Sequence, residues 1–310
     1  MIYALQVNAL PEAFSNRIER TFGQPGKTWL ENFPALLDQL ARRWSLSLER
    51  HLPALRYNYV APARQHDGNP VVLKLGVPNP ELTAEIAALR HFDGRGAVRL
   101  IDADPESGAL LLERIQPGSP VLDLNDDERA TSIAASVIRQ LHRPAPEQSQ
   151  FPCVADWGRG LARLRSTFNG GSGPFPRDLV ERAEWSLRNL AGSESRSVLL
   201  HADLHHWNIL ASRRSDWLAI DPKGLIGEPE YEAGAWLRNP ITKLLEYPDT
   251  RQTILRRLDQ FVDLLGFDRE RMTAWSLYQA VLAAWWSYEE SDPLWEVSIE
   301  IAAQIAVLAP

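Results

Sequence analysis

The run His201-Ala202-Asp203-Leu204-His205-His206-Trp207-Asn208-Ile209-Leu210 sets an amide five positions after a carboxylate, and Asp221 adds a second carboxylate thirteen residues further on. Phosphoryl transfer between oxygens needs these parts. One carboxylate takes the proton of the attacking hydroxyl, while an amide oxygen and another carboxylate hold magnesium against the phosphates. Taken singly, Asp and Asn are common turn formers that bond their own backbone. The set gains weight from its spacing together with its surroundings. Residues 197–200, 208–211 and 217–220 read as short buried strands, and Arg213-Arg214-Ser215-Asp216 as a polar turn. Asp203 then falls on a loop between strands, and a hairpin brings Asn208 and Asp221 alongside it.

Upstream, apolar residues at helical spacing (Phe33, Leu36, Leu37, Leu40, Trp44) predict an amphipathic helix over 30–44. Strand-like runs follow at 45–48, 57–61 and 71–75, the last two separated by the turn residues Gln65-His66-Asp67-Gly68-Asn69-Pro70. A helix over 81–92 comes next, then strands at 97–102 and 109–113. Lys74 ends a β-branched run, so its neighbours are expected to be buried. Its amine could bridge nucleotide phosphates and be oriented by a helix carboxylate. Glu81 opens the helix, where the dipole already explains an acid; Glu85, one turn in, is the expected partner.

The segment around Asp203 resembles the catalytic loop of the aminoglycoside phosphotransferases, which share the protein-kinase-like fold. The run Trp217-Leu218-Ala219-Ile220-Asp221-Pro222-Lys223-Gly224-Leu225-Ile226-Gly227-Glu228-Pro229 narrows the resemblance to the streptomycin 6-kinase branch, grouped with hydroxyurea antibiotic-resistance kinases. In that branch Asp-Pro-Lys-Gly replaces the Asp-Phe-Gly of protein kinases. The similarity extends through Thr28-Trp29-Leu30, Ala41-Arg42-Arg43-Trp44-Ser45-Leu46 and Val72-Leu73-Lys74-Leu75.

The resemblance implies an α+β, two-lobed protein-kinase-like fold. Residues 1–115 would form a small antiparallel-sheet N-lobe with an N-terminal helical extension, and 116–310 a mainly helical C-lobe. It further implies ATP or GTP as phosphoryl donor and Mg as cofactor. Asp203 would be the catalytic base, Asn208 and Asp221 the metal ligands. Lys74, held by Glu85, would position the phosphates from the cleft between the lobes, and the backbone from Glu113 to Ile115 would bond the adenine. One expected part is absent: residues 46–58 contain no glycine, although a turn covering phosphates usually needs one for close backbone approach. Ser47, Arg56 or Asn58 are the side chains that could serve instead.

Bulk properties set the remaining bounds. A net charge of −7 argues against nucleic acid and favours a cationic ligand. Cys153 is the only cysteine, which excludes an internal disulfide and suits a reducing cytoplasm. Residues 1–6 lack the basic start and apolar run of a signal peptide, and the most apolar stretch, 280–286, is too short for a bilayer. The expectation is a cytoplasmic protein that does not engage the membrane; its oligomeric state is left open. Asp221 and Glu232 are so close in sequence that no peptide platform fits between them, which points to a small-molecule acceptor. Candidate acids for a cationic acceptor are Glu228, Glu230 and Glu232 beside the catalytic loop, and Glu289 and Glu290 beside Trp285, Trp286 and Tyr288. Against that stands the ordinary reading of such runs as solvated helix faces and core tryptophans. Trp207 has two readings, against the acceptor or packed behind the loop. Alternatives for the whole chain are a kinase of an unrelated metabolite and a non-catalytic nucleotide-binding module.

Overall fold

The computed structural model describes residues 10–146, 151–193 and 196–308; the leader reading of 1–6 and the end of the 143–149 loop lie outside them. Two compact units result, one running to Gly94 and including Val98–Gln116, the other made of Arg95–Ala97 and everything from Pro117.

The first unit opens with two helices, α1 (Glu12–Phe22) and α2 (Gln24–Arg43). The predicted helix thus begins earlier than residue 30 and has a companion. Gly23, at φ 59°, breaks the chain between them, and Pro25 starts the second helix with its fixed φ. Phe14 and Ile18 of α1 join Trp29, Phe33, Leu37 and Leu40 of α2 in one core. That core rests on an antiparallel sheet of β1 (Leu46–Leu48), β2 (Asn58–Gln65), β3 (Pro70–Gly76), β4 (Leu100–Asp104) and β5 (Ala109–Glu113), in spatial order β1-β2-β3-β5-β4. Helix α3 (Pro80–Phe92) is inserted between β3 and β4, capped by Asn79, whose side chain accepts the Leu82 N–H at 3.0 Å. Strand β4 starts three residues later than predicted. Its register is set by pairing with β5 across the 105–108 turn, while Ala97 belongs to the second unit and bridges Ala219.

In the second unit, β6 (Pro117–Pro120), β8 (Ile209–Ser212) and β9 (Asp216–Ala219) form one small sheet, and β7 (Val198–Leu200) pairs with β10 (Leu225–Gly227). The rest is helical: α4 (Asp127–Leu141), α5 (Val154–Trp157), α6 (Arg159–Thr167), α7 (Arg177–Leu190), α8 (Ala233–Leu237), α9 (Ile241–Leu244), α10 (Thr250–Leu265), α11 (Arg269–Glu289) and α12 (Leu294–Ala306). Helix α11 is buried on nearly every side from Met272 to Trp285, as befits a helix that is apolar all round. Among the described residues no helix is long and apolar enough to cross a membrane.

Candidate active site

In β3, alternation sends Val71, Leu73 and Leu75 into the α1–α2 core, and Lys74 to the opposite face. There its Nζ donates to both carboxylate oxygens of Glu85, at 2.6 and 2.8 Å, with both side chains almost wholly buried. Two charges so far from water persist only as a pair. Glu113, predicted to contribute only backbone, also uses its side chain: Oε1 accepts the Arg99 N–H at 3.0 Å, while the Glu113 N–H donates to the Arg99 carbonyl. Ile115 follows the strand, half-buried.

The second unit holds the other predicted groups. The loop after β7 is tied to the β8–β9 hairpin at each end. Ile220 N–H donates to the Asn208 carbonyl (2.9 Å), Lys223 N–H to the His201 carbonyl (2.8 Å), and the His201 ring bonds the Ile220 carbonyl through Nε2 (2.7 Å). Asn208 Nδ2 donates to the Asp203 carbonyl at 3.0 Å, closing the loop on itself and leaving the amide oxygen outside that bond. Asp221 leaves β9 at φ 60° with its side chain exposed. Asp203, Asn208 and Asp221 are therefore gathered by one loop and one hairpin.

Ala202 stands at φ 66°, a left-handed conformation that costs a residue with a Cβ about 1–2 kcal/mol. Glu232 offsets that cost. Its carboxylate is buried and accepts the N–H groups of His201 and Ala202, each at 2.8 Å, while His142 approaches at 3.4 Å. Burial pushes this acid up, but His142, His201 and the backbone donors outweigh it and hold it below the usual glutamate value.

Asp203 itself is about a quarter exposed, with Arg238 3.4 Å from one carboxylate oxygen and His205 3.8 Å from the other. Desolvation works against its charge, yet His205, Arg238, Lys223 and His201 together keep it below the usual aspartate range.

This order of groups matches the family of aminoglycoside/hydroxyurea antibiotic resistance kinases over residues 43–291. The chain belongs to that family. A streptomycin 6-kinase of Streptomyces glaucescens is 31% identical over 294 residues, covering 91% of this chain and 92% of the relative. A hydroxyurea phosphotransferase of Kitasatospora aureofaciens is 32% identical over 300 residues, 93% of this chain and 83% of its own. An aminoglycoside phosphotransferase solved as a ternary complex with ADP and hygromycin B has a TM-score of 0.59 at 13% identity, over 87% of this chain and 96% of that one. The fold is protein-kinase-like, and the chain is a phosphotransferase of this family.

The kinase departs from the sequence expectations most clearly in its acids. Glu228 and Glu232 do not form a wall open to a ligand. Glu228 is buried, bonded to the Trp275 indole N–H and to Arg271 at 2.7 Å, and burial pushes its carboxyl up. With Glu232 bracing the loop, two of the predicted substrate acids are spent inside the fold. Glu230 is half-buried and accepts the Asp268 N–H. Glu289 is held by Arg163 through two bonds, 2.8 and 2.9 Å, and Glu290 is exposed. Trp285 packs in an aromatic core with Phe168, Phe175 and Tyr288.

Three supporting groups escaped sequence reasoning. Arg238 faces Asp203. His206 stacks on Trp236, ring centroids 3.7 Å apart, and is pushed well below the usual histidine value, chiefly by burial and then by Arg257. Arg257, wholly buried, binds Asp127 and donates to the carbonyls of Trp236 (3.2 Å) and Asn239 (2.6 Å). The available signal was an arginine inside the apolar stripe Ile254, Leu258, Phe261 of α10: a charge on a buried stripe must have buried partners.

Proposed function

We propose that this kinase carries the γ-phosphoryl group of ATP or GTP to a hydroxyl of a small aminoglycoside-type acceptor, streptomycin being the model compound, with magnesium as cofactor. The observation that carries the reading is Asp203. It is ionised, partly open, and set in a loop that also delivers Asn208 and leads through a hairpin to Asp221. In this reading Asp203 orients the acceptor hydroxyl and takes its proton. Lys74, held rigid by Glu85, meets the nucleotide phosphates, and the backbone of Glu113 to Ile115 meets the base.

The donor set suits magnesium. Asn208 spends its amide nitrogen on the Asp203 carbonyl, so its amide oxygen and the exposed Asp221 carboxylate are the oxygen donors a hard cation prefers. Among the described residues no group of three or more His, Cys, Asp or Glu could hold a metal alone. Two protein oxygens plus phosphates and water are what a nucleotide-borne magnesium takes. Bound there, the ion would neutralise charge on the phosphates.

The test is magnesium-dependent nucleotide binding in Asp221→Asn. Affinity should fall in the presence of magnesium and stay level without it; equal titrations in variant and wild type would remove Asp221 from the metal site. Turnover with a panel of acceptors then reads the substrate. A KM that climbs from low to physiological ionic strength supports a cationic acceptor. A second reading, an uncharged acceptor of the hydroxyurea kind, is favoured by the inward commitment of Glu228 and Glu232, and predicts a KM flat with salt.

A further inference from the structure

The loop that carries Asp203 sorts its side chains by parity. Ala202, Leu204, His206 and Asn208 are buried, whereas Asp203 and His205 are partly open and Trp207 is 57% exposed. Asp203, His205 and Trp207 are thus the solvent-reaching side chains of the loop. Backbone and ring bonds join them. His205 N–H donates to the Asp203 carbonyl at 3.0 Å, Asn208 N–H to the His205 carbonyl at 2.8 Å, and Trp207 N–H to His205 Nδ1 at 3.3 Å. Four residues span at most about 14 Å when extended, and the two tight turns shorten that. The Trp207 backbone therefore lies within about one substituted ring's span of the Asp203 backbone.

A single exposed apolar residue on a protein surface needs no explanation. Here, however, the alternative of a side chain packed behind the loop is ruled out by the exposure, and the loop's inner side is already filled. His206 lies on Trp236, and Leu204 is 1% exposed. An exposed indole four residues along the loop from the Asp203 carboxylate offers a flat, electron-rich face to solvent. That combination recognises a ring carrying ammonium or guanidinium groups.

The geometry points to Trp207 as a specificity-determining residue: a stacking platform for the cationic ring that bears, or adjoins, the phosphorylated hydroxyl. This deepens the proposed function and rests on it. It selects ring-sized cationic acceptors over small uncharged ones, which bring neither a ring to stack on the indole nor a charge to its face.

The experiment compares wild type, Trp207→Phe and Trp207→Leu with two probes, streptomycin and hydroxyurea, at saturating nucleotide and magnesium. Streptomycin KM should rise about 3–30-fold in the leucine variant, the range of a lost cation–π contact, and only slightly in the phenylalanine variant. Nucleotide KM should stay within about twofold. Streptomycin should quench tryptophan emission of the wild type and do so much less in Trp207→Phe, a readout that does not depend on turnover. Equal streptomycin KM in all three proteins, a nucleotide KM that moves in step with it, or better use of hydroxyurea than streptomycin by the wild type would each overturn the assignment. Absence of transfer to any acceptor, with quenching intact, would strike the proposed reaction and leave the platform standing. Because the side chain is exposed, thermal unfolding of the variants should match wild type.

Discussion

Two acid–base pairs in different units of the molecule are built to opposite specifications. Lys74 and Glu85 stand on a strand and a helix, nearly dry, with two bonds of 2.6 and 2.8 Å. Asp203 and Arg238 stand on a loop and after a short helix, about a quarter and a fifth exposed, at 3.4 Å. The first pair is tight because regular elements fix both ends and no water competes. The second is loose, and looseness suits a base. A carboxylate gripped by a bidentate arginine spends one lone pair of each oxygen on it, while one with cations merely nearby stays ionised and more available. Rigidity has moved one layer back, to Glu232 under the loop and to Arg257 beneath the His206–Trp236 stack.

The largest effect should come from the loose pair's acid. Asp203→Ala should lower kcat by about 10²–10⁴-fold with nucleotide affinity nearly unchanged; more than about a tenth of wild-type turnover would be incompatible with a proton-accepting role. Next comes the layer behind it. Glu232→Ala leaves two buried N–H groups without partners, at about 1–3 kcal/mol each. It also frees Ala202 from its left-handed conformation. Unfolding midpoint and kcat should fall together, the latter by about 10²-fold if the Asp203 carboxylate shifts by an ångström. A variant that keeps kcat while losing stability would show that the brace serves the fold alone.

Much of this was legible beforehand. The strand–turn–strand pattern around Asp203, Asn208 and Asp221 depends on short-range periodicity and turn chemistry, and the helix spacing that singled out Glu85 is local too. What stayed hidden was directional. Glu228, Glu230 and Glu232 read as one acidic run, yet alternate residues of a short 3-10 turn face different ways, so two carboxylates point inward to Trp275 and to the His201–Ala202 backbone. Arg238 and Arg257 meet Asp203 and Asp127 from 35 and 130 residues away, and no periodicity reports a contact at that separation. The first helix is a different case. Its signal was local, since Leu10, Phe14, Ile18 and Phe22 recur every four residues and pack on the same core, and it was passed over.

The tight pair can be broken in a way that separates stability from function. Lys74→Met alone strands a buried carboxylate and should cost about 3–5 kcal/mol. Adding Glu85→Leu removes the stranded charge, and the double variant should recover most of that stability, since an apolar pair of similar volume is often no worse than a buried ion pair. Nucleotide KM should remain high in both. Recovery of nucleotide binding along with stability would mean that Lys74 is only a structural cation.

The smallest effect, and the one that most sharpens the comparison, belongs to Arg238. Its charge is one of those holding Asp203 below the usual aspartate range, against a desolvation that pushes the other way. Arg238→Met therefore raises the Asp203 pKa, and the acid limb of kcat/KM should move to higher pH, with little change on the alkaline side. Stability follows the same linkage. A depressed carboxylate contributes above its unfolded pKa, and that contribution vanishes as pH falls through the folded value. Wild type should exceed the variant in unfolding midpoint near neutrality, and the two should converge in acid. An acid limb that stays in place would assign the depression to His205, Lys223 and His201, which also act on Asp203. The loose pair would then be a steric arrangement, with Arg238 setting where the Asp203 carboxylate points and leaving its charge to the other three.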